Sequence, residues 1–155
     1  MGVKDKWADI LLLTAITILF LDILSFVKPL FMKSTIYDIV RFYSQDFDVL
    51  NKYNPLYEYG IHLEDLPNET CSYVVSSIGL EFYDKLGPNV KSRVDLHVCS
   101  QVIYNLYLSA VKEAGVKPTK EIARRCILNY ITNHKEFLLK MDNSPLIVCL
   151  LDTSK

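Results

Sequence analysis

Residues 92–114 constrain the fold more than any other part of the chain. On a helix drawn through them, Val94, Val98, Val102, Ile103, Leu106 and Ala110 lie on one side, and Leu96, Cys99, Tyr104, Tyr107 and Val111 on the other. A helix apolar over so much of its circumference must be surrounded by other elements. The rest of the chain offers amphipathic partners. Ile36, Ile39, Val40, Tyr43, Phe47 and Leu50 recur at three- and four-residue steps and predict a helix over 36–53, ending before Pro55. Val74, Val75, Ile78, Phe82 and Leu86 predict another over 71–86, stopped by Gly87 and Pro88. A helix over 118–140 follows, with Ile122, Cys126, Ile127, Tyr130, Ile131, Phe137 and Leu138 inward, and a last apolar piece over 146–151. Residues 54–67 read as a looser region with a short helix near 62–66. Only 5 Gly and 6 Pro punctuate 155 residues, which suits long helices better than many short strands. The fold expected is all-α: one domain over 1–155, a bundle that hides its middle helix completely.

The awkward segment is residues 10–27, apolar except for Thr14, Thr17, Asp22 and Ser25. Its length suits a membrane span or a signal peptide, with Lys4 and Lys6 as a positive flank. Against a span, Asp22 lies deep in the run, where insertion costs about 2.5–3.5 kcal/mol. Against a signal peptide, Ser25-Phe26-Val27 is a poor cleavage match. The reading adopted is a core helix over 6–27, with a membrane anchor as its rival. After Leu151 only four residues remain, so no carboxy-terminal membrane tail is expected.

The formal net charge of -1, from 17 basic and 18 acidic residues mixed along the chain, favours no nucleic-acid partner. There is no Gly-rich phosphate loop, no His-Glu-x-x-His pair and no Gly-x-Ser-x-Gly elbow. His62, His97 and His134 are isolated. His97, near Asp95 and Cys99, is better read as a hydrogen-bonded boundary residue than as half of a Cys-His nucleophile. No enzyme activity, cofactor or metal is expected. Cys71, Cys99, Cys126 and Cys149 are far apart, without Cys-x-x-Cys or zinc spacing. Three lie within apolar stretches, so buried free thiols and a reducing compartment are expected. Asn68-Glu69-Thr70 fits the glycosylation acceptor pattern, which matters only in a secreted chain.

Three segments, in order, resemble the Bcl family (the B-cell-lymphoma-two apoptosis regulators). Val40-Arg41-Phe42-Tyr43-Ser44-Gln45-Asp46-Phe47 is similar to the family's third homology region, with Ser44 in the small position and Asp46 in the acidic one. Glu81-Phe82-Tyr83-Asp84, continuing through Gly87-Pro88-Asn89-Val90-Lys91-Ser92-Arg93-Val94, resembles the first. There Asn89 and Arg93 stand one residue further apart than the family's Asn and Arg, Ser92 stands for glycine, and the tryptophan is absent. Tyr130-Ile131-Thr132-Asn133-His134-Lys135-Glu136 resembles the approach to the second, without the Gly-Trp that usually follows. The resemblance covers about 36–151. The eroded motifs and small size look like the versions carried by large DNA viruses.

The resemblance implies an inhibitor of apoptosis that takes the amphipathic death-promoting helix of pro-apoptotic Bcl proteins into a hydrophobic groove. Phe47 and Leu50 would line one wall, Ile78 and Phe82 the floor, and Val94 with Leu96 the far side. Arg93, beside Asn89, would pair with the partner helix's aspartate. The implied location is the host-cell cytoplasm, at mitochondrial or other intracellular membranes, and a symmetric homodimer is compatible with an open groove. Two other readings stand beside it: a module of the same fold that blocks innate immune signalling adaptors, and a membrane protein anchored by residues 10–27 with a helical domain beyond.

Overall fold

The computed structural model describes residues 35–153, and every regular element among them is helical. The chain divides into two compact units, residues 1–39 and 40–155. Of the first only 35–39 are described, and they are helical. The helix expected over 6–27, with its apolar run, lies outside the described residues.

In the second unit a helical turn, α1 (40–43), is followed by α2 (Phe47–Leu50), which tightens into a 3₁₀ turn over Asn51–Tyr53. Two more 3₁₀ turns, Tyr57–Tyr59 and Leu63–Asp65, lead to α3 (Asn68–Ile78). A fourth, Tyr83–Lys85, precedes α4 (Pro88–Ala114), and α5 (Lys120–Asn133), α6 (Lys135–Leu139) and α7 (Ser144–Thr153) complete the unit. The 27 residues of α4 make a rod about 40 Å long. It packs against α3 and α7, α5 packs on α7, and α6 bridges α3 and α5. Leu96, Cys99, Ile103, Tyr107 and Ala110 carry the buried face of α4 into one core that includes Leu50, Val74, Ile127, Tyr130 and Leu150.

The central helix is not hidden completely. Gln101, Asn105, Leu108 and Lys112, at three- and four-residue steps, form an exposed stripe along it. Three of the four are polar, which is the stripe's own explanation.

The expected helix over 36–53 is broken at Ser44, Gln45 and Asp46. Asp46 is extended (φ -63°, ψ 154°), and the Arg93 guanidinium draws the carbonyls of Tyr43 and Gln45 away from helical continuation. The helix expected over 71–86 stops at Ile78, because Gly79 adopts the left-handed conformation (φ 74°) that closes helices. Phe82 and Leu86 fit the periodic stripe but belong to the connection. Gly87 and Pro88 begin α4 rather than merely ending its predecessor. Gly87 is extended at the N-cap, and Pro88 sits at the first turn, where its missing N–H costs nothing. The helix expected over 118–140 is two helices. Thr119 caps α5 by accepting from the Ile122 N–H at 3.2 Å, and His134 (φ -131°, ψ 42°) ends it. The bend lets the Tyr130 hydroxyl donate to the Asp142 carbonyl at 2.6 Å while Leu138 stays buried.

The cysteines are the largest departure from expectation. They are buried or half-buried, as their apolar surroundings implied, but they are not free: Cys71 is bonded to Cys99 and Cys126 to Cys149. The first bridge ties α3 to α4, the second α5 to α7.

The region 54–67 is not loose either. Buried Asn51 accepts from the Leu63 N–H at 2.9 Å and donates to the Glu64 carboxylate at 2.9 Å. Buried Asn54 donates to the Ile61 carbonyl at 2.8 Å and accepts from the Leu56 N–H at 2.9 Å. Two side-chain amides thus satisfy backbone groups that no helix ladder could.

Candidate functional site

The first turns of α4 carry the polar chemistry of the unit on two different sides. On one side Arg93 and His97, one turn apart, hold the corner between α1 and α2. Arg93 Nη1 donates to the Tyr43 carbonyl at 3.1 Å and to the Gln45 carbonyl, and its guanidinium carbon lies 4.9 Å from the centre of the Phe47 ring. These carbonyls end a helical segment, where a cation is favourably placed. His97 takes the Tyr43 hydroxyl on Nδ1 at 2.6 Å and faces the Tyr53 carbonyl with Nε2 at 3.2 Å. Burial lowers its pKa, while the Tyr53 carbonyl acts to raise it. That favours a neutral ring with the proton on Nε2, donating to Tyr53 and accepting from Tyr43. Phe42 packs edge-on against Tyr43 and Tyr53, completing an aromatic patch.

On the other side the buried Asp95 carboxylate accepts from the Tyr83 hydroxyl at 2.5 Å, and Lys91 Nζ sits 4.3 Å above the Tyr83 ring. Burial pushes the Asp95 carboxyl above the usual carboxylate range, against the lowering effect of Tyr83 and Lys91. An acid with a raised folded-state pKa takes up a proton on folding. Its stabilising effect is therefore complete below the unfolded value and is lost as pH rises through the folded one. His97, with a depressed pKa, works oppositely: stability falls as pH drops through its unfolded value. Asp95→Asn keeps an acceptor for Tyr83 and removes the charge. In this variant the stability gained as pH falls toward the ordinary carboxylate range is expected to shrink, leaving the His97 loss dominant, as urea midpoints measured through the acidic range would show. Identical pH profiles for the two proteins would refute the assignment.

Of the residues expected to form a groove, the structure brings Phe47 and Arg93 together, with Asn89 exposed one turn earlier on the Arg93 face of α4. Ile78 is exposed at the end of α3, and Phe82 is half-buried in the connection beyond it. Leu50, Val94 and Leu96 are only 1%, 5% and 4% exposed and serve as packing rather than as open surface. The Cys-His pair is not formed, since Cys99 is bridged and His97 faces Tyr43. His97 is the half-buried, hydrogen-bonded residue the sequence led one to expect, but its partners Tyr43 and Tyr53 and the pairing of Tyr83 with Asp95 were not singled out. The paired residues lie 12 to 54 residues apart, beyond any local pattern.

Open pockets of about 420, 450 and 560 Å³ indent the unit, and neither Phe47 nor Arg93 lines any of these three. The second, between α5, α6 and α7, is walled by Phe137, Pro145, Val148 and Cys149, and the third lies between the starts of α3 and α4. Among the described residues no group of three or more His, Cys, Asp or Glu is placed to hold a metal ion. No helix among them is long and apolar enough to cross a membrane. The chain matches no protein-family model, no curated protein and no solved structure.

Proposed function

We propose that the protein is a disulfide-braced helical binding module that works in an oxidising compartment, delivered or anchored there by residues 10–27. The observation that carries this reading is the pairing of all four cysteines into two bridges between helices. Bridges of this kind persist where thiols are not kept reduced, as in the secretory pathway and outside the cell. The apolar run with Lys4 and Lys6 before it has the length and the positive flank of a delivery or anchor segment. Binding, rather than catalysis, is the activity proposed. Arg93, Asp95 and His97 of α4 hold groups of the chain itself, and the exposed surface is rich in aromatic and aliphatic side chains such as Tyr53, Tyr57, Tyr73 and Ile78. The test is expression of the full chain in eukaryotic cells, followed by carbonate extraction, protease protection and thiol alkylation without reductant. The expected result is a membrane-enclosed or exported chain with no alkylated cysteine. A cytosolic chain alkylated at all four positions would rule the reading out.

A second reading keeps the capture of a pro-apoptotic amphipathic helix, and one observation favours it. Among the described residues Arg93 donates through Nη1 alone, and no carboxylate among them lies within ion-pair range of it. Nε and Nη2 are left to meet a carboxylate side-on, beside Phe47 and Asn89. On this reading Arg93→Ala weakens a death-promoting helix peptide by about tenfold, the effect of losing one charge-assisted pair. Calorimetry against a panel of such peptides decides it, and unchanged affinity in the variant sinks it.

A further inference from the structure

We propose that Asn68 is a site of N-linked glycosylation, an inference that rests on the oxidising compartment proposed above. Asn68-Glu69-Thr70 is an intact acceptor tripeptide with no proline at its middle position. Asn68 is exposed at the first residue of α3, on the chain's surface rather than in its core. Its Nδ2 donates to Ser92 Oγ at 2.9 Å. Ser92 Oγ also donates to Asn68 Oδ1 at 3.2 Å, so it faces the Nδ2 hydrogen that a sugar replaces; on attachment that bond is given up and the hydroxyl keeps its donation to Oδ1. The sugar then leaves toward the shallow pocket of about 560 Å³ that Asn68 shares with Glu69, Ser72, Tyr73, Lys91 and Ser92. Tyr73, 63% exposed, offers an aromatic face for a pyranose ring, and the hydroxyl and charged groups around it suit sugar hydroxyls.

The transfer needs an oligosaccharide carried on a lipid pyrophosphate, the donor class of the secretory pathway. The Asn68 Nδ2–C1 bond forms as the bond from C1 to the pyrophosphate oxygen breaks. The lipid pyrophosphate leaves with the electron pair, and Nδ2 gives up one proton; nothing is oxidised or reduced. In the folded protein the tripeptide is the first turn of α3, Thr70 is buried, and the Cys71–Cys99 bridge holds that turn against α4. The acceptor is reachable only before this turn winds, so transfer precedes closure of that bridge.

The experiment is intact-mass spectrometry of the full chain from eukaryotic secretory expression, before and after peptide N-glycosidase. The expected result is one oligosaccharide, released with conversion of Asn68 to aspartate, lost in Asn68→Gln and kept in Thr70→Ser. An exported chain with both bridges closed and Asn68 unmodified overturns the glycosylation but leaves the compartment standing. A chain with four free thiols and no sugar overturns both, and a sugar that persists in Asn68→Gln overturns the assignment to this residue.

Discussion

Reducing both disulfides is expected to bring the protein to the edge of unfolding in the absence of denaturant. The bridges close loops with sequence separations of 28 and 23 residues that follow one another along the chain without overlapping. On the chain-entropy account, each then limits the unfolded chain independently and contributes about 3.5 kcal/mol. Together that is about 7 kcal/mol against a typical total of about 5–15 kcal/mol for a domain of this size. The loss falls on contacts that also matter, because Cys71, Cys99 and Cys126 are fully buried within the one core. Urea unfolding followed by circular dichroism, with and without reductant, measures the effect. The Cys71→Ser/Cys99→Ser pair and the Cys126→Ser/Cys149→Ser pair, tested separately, should each lose about half of it. A reduced protein with the oxidised midpoint would show that the bridges do not brace the native state.

Arg93→Ala is expected to lower the unfolding free energy by about 1.5–3 kcal/mol, the range for hydrogen bonds made by a charged donor. The side chain spans two carbonyls at the end of α1 and lies over the Phe47 ring, so its removal frees the corner between α1 and α2 on both counts. Arg93→Lys should recover only part of the loss. An ammonium lacks the planar fork that reaches two acceptors while stacking on an aromatic ring. Chemical denaturation of the three proteins checks the order, and hydrogen exchange at residues 44–50 checks the location. Equal midpoints for the arginine and alanine proteins would mean that the corner holds without its clamp.

Local pattern in the sequence was enough to place an all-helical chain around 92–114 and to find most of the helices. Apolar periodicity reports which face is buried, and Cys126, Ile127, Tyr130 and Ile131 are buried as their spacing implied. Interruptions were less legible when their cause lay far away. The break after Tyr43 depends on Arg93, fifty residues on, and the bend at His134 accommodates the bond from Tyr130 to Asp142. Where the cause was local it was present but outweighed. Gly79 already carried the stop signal for α3, yet Phe82 and Leu86 prolonged the apolar stripe past it. The cysteines show a different limit. A buried thiol and a buried bridge have the same apolar flanks, and only the crossing of α3 over α4 and of α5 against α7 distinguishes them. In the candidate site, Arg93 and Phe47 were foreseen as neighbours of a visiting helix, and the structure sets them beside the chain's own corner.

The two bridges also sort the helices mechanically. One staples α3 to α4 and the other α5 to α7, so each pair moves as a welded unit. The seam between α4 and α7, although closely packed, carries no covalent stitch among the described residues. An opening along that seam, with α6 leaving α3 or α5, would keep both welded pairs whole.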